Sequence, residues 1–270
     1  MTPTTEPAAN PPAGACKHHS QLQPAPQPKC SCQGLLRPRR MHALSGLWMA
    51  CFLVAHLAIS ITGWSPVAYQ HNVDAIQGAL AHLPGFTLVA IFVPLLFQGA
   101  SGLYLLRKEG MKYSVKKCNR GGKLRFFLQR VTGLAVLIFA LFHVGTLHEW
   151  GLHAVYQATH LSVLSRFASG GLFQAGRTAF HSTVEGFGRF CGASDAGNVM
   201  VAALSLLGVW ATAFHASNGA WSGGVIWNLV TKPESKRRWG YVAVAIGVAL
   251  FVAGTGAWYA FTLSRAARAF

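Results

Sequence analysis

The sequence predicts an all-α integral membrane protein, a bundle of five transmembrane helices. Three observations carry that prediction. Of 270 residues, 52% are hydrophobic and only 11% charged, roughly half the charge of an ordinary soluble domain. The charges are clustered, leaving apolar stretches of about 20 residues that lipid accepts only as helices, where every backbone polar group is satisfied internally. The basic residues also alternate from loop to loop, as a chain threaded through a bilayer requires.

Residues 1–36, rich in Pro, Ala, Gln and Thr, lack the apolar core of a signal peptide and read as a disordered arm. The membrane domain spans 37–265. It begins at Arg37-Pro38-Arg39-Arg40, a basic stop at a membrane surface, and its first helix covers about 41–63. The segment 64–83 holds no Lys or Arg and ends at Pro84, so an outside loop is expected there. The second helix, about 85–106, stops at Arg107-Lys108, and a basic loop leads to the third, about 126–148. A long connection, 149–197, has weak periodicity and room for short interfacial helices. The fourth helix, about 198–230, ends at Lys232-Pro233, and the fifth covers about 239–263.

The net charge of +16 could suggest a nucleic-acid partner, but 18 of the 23 Lys and Arg lie in three patches beside helix ends. That is the pattern of topology charge on the cytoplasmic face, and it places the N-terminus inside and the C-terminus outside. Six cysteines show no framework spacing. Cys16, Cys30 and Cys32 lie in the arm with His18 and His19, but one C-x-C without a second ligand pair is weak evidence for a metal.

An ionisable residue within a membrane helix is costly, which makes it a functional candidate. Three histidines qualify: His56, His143 and His215. His56 and His143 lie about 15 and 17 residues into helices of the same direction, hence at similar depth in the outer half. His215 lies in the inner half of a helix running the other way. The surroundings repeat. Ser45-Gly46-Leu47 precedes His56 as Thr132-Gly133-Leu134 precedes His143, with the same interval from glycine to histidine. His215-Ala216-Ser217-Asn218-Gly219 echoes Gln98-Gly99-Ala100-Ser101-Gly102, with Gln in the place of His. Small residues at helical spacing admit a flat macrocycle or a neighbouring helix.

Haem b needs imidazoles on opposite faces of its iron, usually from two facing helices. His56 and His143 meet that need, and the absence of C-x-x-C-H excludes covalent attachment. An interhelical hydrogen bond is the competing role for any single histidine; three at paired depths in a repeated frame favour haem. His42, 14 residues before His56, falls near the same helix face at the inner surface. There it could meet a haem propionate or a quinone, or simply snorkel. Asp74 and Glu149 are weaker candidates for proton handling. Trp48, Trp150, Trp221, Trp227 and Trp239 read mostly as interface anchors.

Four stretches, in order, carry a family resemblance: Arg39-Arg40-Met41-His42-Ala43-Leu44-Ser45-Gly46, Phe92-Val93-Pro94-Leu95-Leu96-Phe97-Gln98, Leu128-Gln129-Arg130-Val131-Thr132-Gly133, and Phe214-His215-Ala216-Ser217-Asn218-Gly219-Ala220-Trp221. Across about residues 37–240 the chain resembles the cytochrome b subunits of succinate dehydrogenase and fumarate reductase, in the single-anchor b558 branch typified by Bacillus. The resemblance implies an anchor in the bacterial cytoplasmic membrane that docks a flavoprotein and an iron–sulfur subunit and passes electrons through haem b to quinone, menaquinone in this branch.

The resemblance places the distal haem on His56 and His143, and the proximal haem on His215 and position 98, where this chain has Gln98 in place of His. That departure predicts loss or weakening of the proximal haem, with quinone then reduced near His42 and His215. The arm and the 149–197 connection look like additions to the Bacillus-type chain. Fumarate reduction by the same complex, and an anchor whose haem chemistry has decayed, are the alternatives. A transporter is disfavoured, since no pair of intramembrane charges and no helix broken by a central Pro is evident.

Overall fold

The computed structural model describes residues 37–110, 120–147, 157–160, 178–188, 195–264 and 267. The arm 1–36, most of the 149–197 connection, and His148, Glu149, Trp150 and His153 lie outside the described residues. Among the described residues every regular element is helical: α1 (Pro38–Ser60), a 3-10 turn (Ile61–Trp64), α2 (Pro66–Ala81), a π turn (Leu88–Phe92) running into α3 (Val93–Glu109), α4 (Arg120–Leu147), α5 (Ala179–Gly188), α6 (Asp195–Ile226) and α7 (Pro233–Thr262).

Four stretches are long and apolar enough to cross a membrane: Pro38–Trp64, Leu88–Glu109, Leu124–Val144 and Pro233–Thr262. Four such helices in one chain make this a multi-pass membrane protein. Their outward faces carry exposed Leu47, Val54, Leu96, Leu141 and Val244, side chains suited to lipid rather than water. The 32 residues of α6 extend about 48 Å, longer than a bilayer core of about 30 Å. Its polar His215, Ser217 and Asn218 bond to α4 and α7.

Two departures from the sequence reading have local causes. The segment 64–83, expected as a loop, is mostly the helix α2. Ser65 accepts the Ala68 N–H as an N-cap, and Pro66 occupies the first turn, where its missing N–H costs nothing. Pro94 does interrupt the second span, and a π turn precedes it. Proline cannot donate to the carbonyl four residues back, which is Ala90. The Trp48 indole N–H fills that vacancy, bonding to Ala90 O at 2.6 Å. Trp48 therefore bridges two helices as well as sitting on the surface.

The helices form two antiparallel pairs. In the first, His42 of α1 meets Ser101 of α3 and Trp48 meets Ala90. In the second, Gln129 of α4 meets His215 of α6, and Phe139 meets Gly208. α6 also packs on α1 and on α7. The α6–α7 contact is close because glycines face side chains: a Cβ on Gly247 would stand 2.7 Å from Ser217 Oγ, and one on Gly254 2.6 Å from Val209 Cγ1. Three indoles cross-link this region: Trp239 donates to Ala220 O, Trp258 to Ala202 O, and Trp210 to Thr255 Oγ1.

At the far end from the basic loops, α2, α5 and α7 enclose a small core of Tyr69, Ala179, Phe180 and Phe261. The Tyr69 hydroxyl pairs with Thr183 Oγ1 at 3.2 Å, and burial raises its pKa above the usual phenol value. The Ala179 N–H donates to Gln70 Oε1 at 2.6 Å, fixing the start of α5 on α2.

Gly208 supports the packing between α4 and α6, since any Cβ there would overlap the Phe139 ring. Gly208→Val is expected to destabilise the helix bundle by about 1–3 kcal/mol through overpacking. A lowered thermal midpoint in detergent would register it, whereas an unchanged midpoint would mean that the two helices separate without cost.

Candidate functional site

Polar and aromatic side chains gather at two levels between the helix pairs. At the level farther from the basic loops, called outer for that reason, His56 of α1 and His143 of α4 face each other, with ring centroids 5.9 Å apart and planes at 79°. Each is stacked by a phenylalanine one turn earlier on its own helix: Phe52 on His56 and Phe139 on His143, both at 5.6 Å.

This spacing can be compared with what a bis-histidine haem needs. Two imidazole–metal bonds of about 2 Å, plus the distance from each nitrogen to its ring centre, put the centroids about 6 Å apart. The two rings come from different helices and lie at nearly that separation, so the residues fit an iron held between them. Among the described residues no group of three or more His, Cys, Asp or Glu could hold a bare metal ion. A haem, whose macrocycle supplies four of the ligands, asks for only two.

At the inner level each helix pair holds one histidine and one glutamine. In the first pair His42 Nδ1 lies 2.8 Å from Ser101 Oγ, and His42 Nε2 lies 3.3 Å from Gln98 Nε2. Ser101 donates its own proton to Gln98 O, and Ser45 donates to Gln98 Oε1. Those bonds set the proton positions: Ser101 accepts from His42 Nδ1–H, and Gln98 points its N–H at the Nε2 lone pair.

The second pair repeats this with the residue types exchanged. His215 Nδ1 lies 3.1 Å from Gln129 O, a carbonyl that can only accept, so Nδ1 carries the proton. His215 Nε2 lies 3.4 Å from Gln129 Nε2. Gln129 Oε1 accepts from Asn218 Nδ2 at 2.6 Å, and Asn218 Oδ1 accepts from Arg125 Nε. Glycines open the same level: a Cβ on Gly133 would stand 2.8 Å from the His215 ring, one on Gly102 3.3 Å from His42 Cε1, and one on Gly46 3.2 Å from Gln98 Nε2.

The sequence reading placed Gln98 opposite His215. In the structure Gln98 is bonded within its own pair, to Ser45 and beside His42, while His215 is held by Gln129 and Thr132. Asp74 is a surface group bonded to Gln70 Nε2. Trp221 and Trp227 take Arg125 and Arg40 over their rings, at 3.9 and 5.6 Å.

Several residues of this level escaped attention in the sequence, although a signal was present. Gln129 precedes His143 by the same 14 residues that separate His42 from His56. The two phenylalanines that stack on the outer histidines also share one offset. Glu109, at the end of α3, joins Arg39 of α1 at 2.6 Å and Arg130 of α4, tying three helices at the basic surface.

A search among known proteins bears on these residues. The succinate dehydrogenase cytochrome b558 subunit of Bacillus subtilis (strain 168) is 27% identical over 230 residues, covering 83% of this chain and 95% of the relative. The chain is homologous to that subunit. No family model matches the chain, and no solved structure does either. The likeness to cytochrome b558 read from four short stretches therefore extends along most of the sequence.

Proposed function

We propose that this chain is the cytochrome b membrane anchor of a succinate:quinone oxidoreductase, with five spans and with haem b held by His56 and His143. The observation that carries the reading is the facing pair of imidazoles at 5.9 Å, each stacked by its own phenylalanine, in a chain homologous to a cytochrome b558 subunit. α6 serves as the fifth span; its polar residues face α4 and α7 through Gln129 and the Ala243 carbonyl rather than lipid.

Haem bound at this pair would supply one-electron transfer between an iron–sulfur partner and quinone. The chain's own residues do the rest. Phe52 and Phe139 fix the ring planes, and Gly208 leaves room for Phe139 to lie against His143. The basic loops and the Arg39–Glu109–Arg130 node form the face on which the flavoprotein and iron–sulfur subunits would dock, in the bacterial cytoplasmic membrane with that face inside. Menaquinone is the proposed electron partner.

Reduced-minus-oxidised spectra of the complex purified from membranes test the reading. His56→Ala and His143→Ala should each remove the same low-spin b-type component while the anchor still co-purifies with its partners. A full spectrum in either variant would rule out the pair as ligands.

A further inference from the structure

We infer that His42 and His215 form a second bis-imidazole site for haem b at the inner level, with His42 supplying the imidazole that position 98 does not. The inference rests on the haem reading above and concerns a ligand that reading leaves unassigned.

Three observations converge. The first is symmetry between the helix pairs. The outer level takes one imidazole from each pair, His56 from α1 and His143 from α4. The inner level also has one imidazole in each pair, but on exchanged helices: His42 on α1 opposite Gln98 on α3, and His215 on α6 opposite Gln129 on α4. α1 and α6, the helices that carry these two histidines, pack directly on one another.

The second is the state in which both rings are held. Iron takes the imidazole nitrogen that carries a lone pair, and a ligating histidine almost always gives its other ring N–H to a neighbouring acceptor. Both histidines have this arrangement. His42 gives Nδ1–H to Ser101 at 2.8 Å, and His215 gives Nδ1–H to Gln129 O at 3.1 Å. Each presents its Nε2 lone pair, met only by a long contact of 3.3 or 3.4 Å from a glutamine amide. Those amides are replaceable: Gln98 and Gln129 keep their bonds to Ser45 and Asn218 through Oε1 when the nitrogen is displaced.

The third is the close approach of backbone to both rings. Gly102 and Gly133 lie where a Cβ would press on His42 and His215, and Gly46 lies against Gln98. Glycines from three helices thus let these side chains seat directly on backbone. Gln98 itself is neutral and bonded at both ends of its amide, which makes it a poor iron ligand and a positioning group for His42.

The test is haem stoichiometry and redox titration on the purified complex. The unaltered complex should hold two b haems per chain by pyridine haemochromogen. His42→Ala and His215→Ala should each lower this to one, losing the same redox component, and Gln98→Ala should keep two. His56→Ala should lose the other component. His42→Met keeps a ligand, so it should retain two haems with one midpoint potential shifted upward, as methionine–histidine ligation does; a purely structural role for His42 would leave that potential unmoved. Two haems surviving in His42→Ala, or a single haem that persists in His42→Ala and disappears in His56→Ala, would overturn the inference and leave the His56–His143 reading intact. A complex without haem would overturn both.

Discussion

Glu109→Gln is expected to lower stability by about 1–3 kcal/mol, because the amide oxygen can still accept from Arg130 but no longer balances its charge. The Arg130 side chain is only 10% exposed and Glu109 18%, against 66% for Arg39. Arg130 donates one nitrogen to Glu109, lies over the Phe126 ring at 3.4 Å, and has no hydrogen-bond partner at Nη1 among the described residues. Its charge thus depends on the one carboxylate. Arg39→Ala removes the exposed arm of the same node and should cost less than about 1 kcal/mol. Thermal midpoints of the complex in detergent would rank the two. A double change, Glu109→Leu with Arg130→Leu, should recover much of the loss, because an apolar pair avoids the desolvation that the ion pair must overcome. Equal, small effects of Glu109→Gln and Arg39→Ala would mean that Arg130 reaches water.

The spans were legible because their signals are local. Apolar length and flanking charge are properties of a single stretch of chain, and Arg37–Arg40, Arg107-Lys108 and Lys232-Pro233 mark three helix ends to within a few residues. α2 was not legible by the same means. It carries no charge pattern, and its start depends on one cap at Ser65 followed by Pro66. Reading the stretch by its lack of Lys and Arg addressed only its side of the membrane and concealed its helicity.

The candidate site divides in the same way. His56 and His143 could be paired from depth alone, because both helices run in one direction and share one interval from glycine to histidine. The inner level could not, because its order depends on which helix packs on which. The echo between residues 98–104 and 215–221 suggested that Gln98 stands across from His215. The packing instead pairs α1 with α3 and α4 with α6, and His42 becomes the neighbour of Gln98. Hydrogen-bond direction was out of reach for the same reason: Ser101 and the Gln129 carbonyl decide which nitrogen of each histidine carries a proton, and both act across helices.

Asn218 offers the sharpest probe of that inner order. It is 6% exposed and links Arg125, at the basic end of α4, to Gln129 and through it to His215. Asn218→Leu preserves volume and removes both links, leaving the Arg125 guanidinium with the Trp221 face and Gln129 Oε1 without its donor. A loss of about 2–3 kcal/mol is expected for unpairing one charged and one neutral group. Asn218→Asp separates the two. A carboxylate still accepts from Arg125, so stability should largely return, but it has no N–H for Gln129. Freed of that bond, Gln129 loses the partner that fixes its side chain beside the His215 ring. The midpoint potential of a haem at His215 should therefore shift in Asn218→Asp while the His56–His143 component stays where it was. If both components moved together, Asn218 would act on the bundle as a whole; if neither moved, the chain from Arg125 to His215 would end at Gln129.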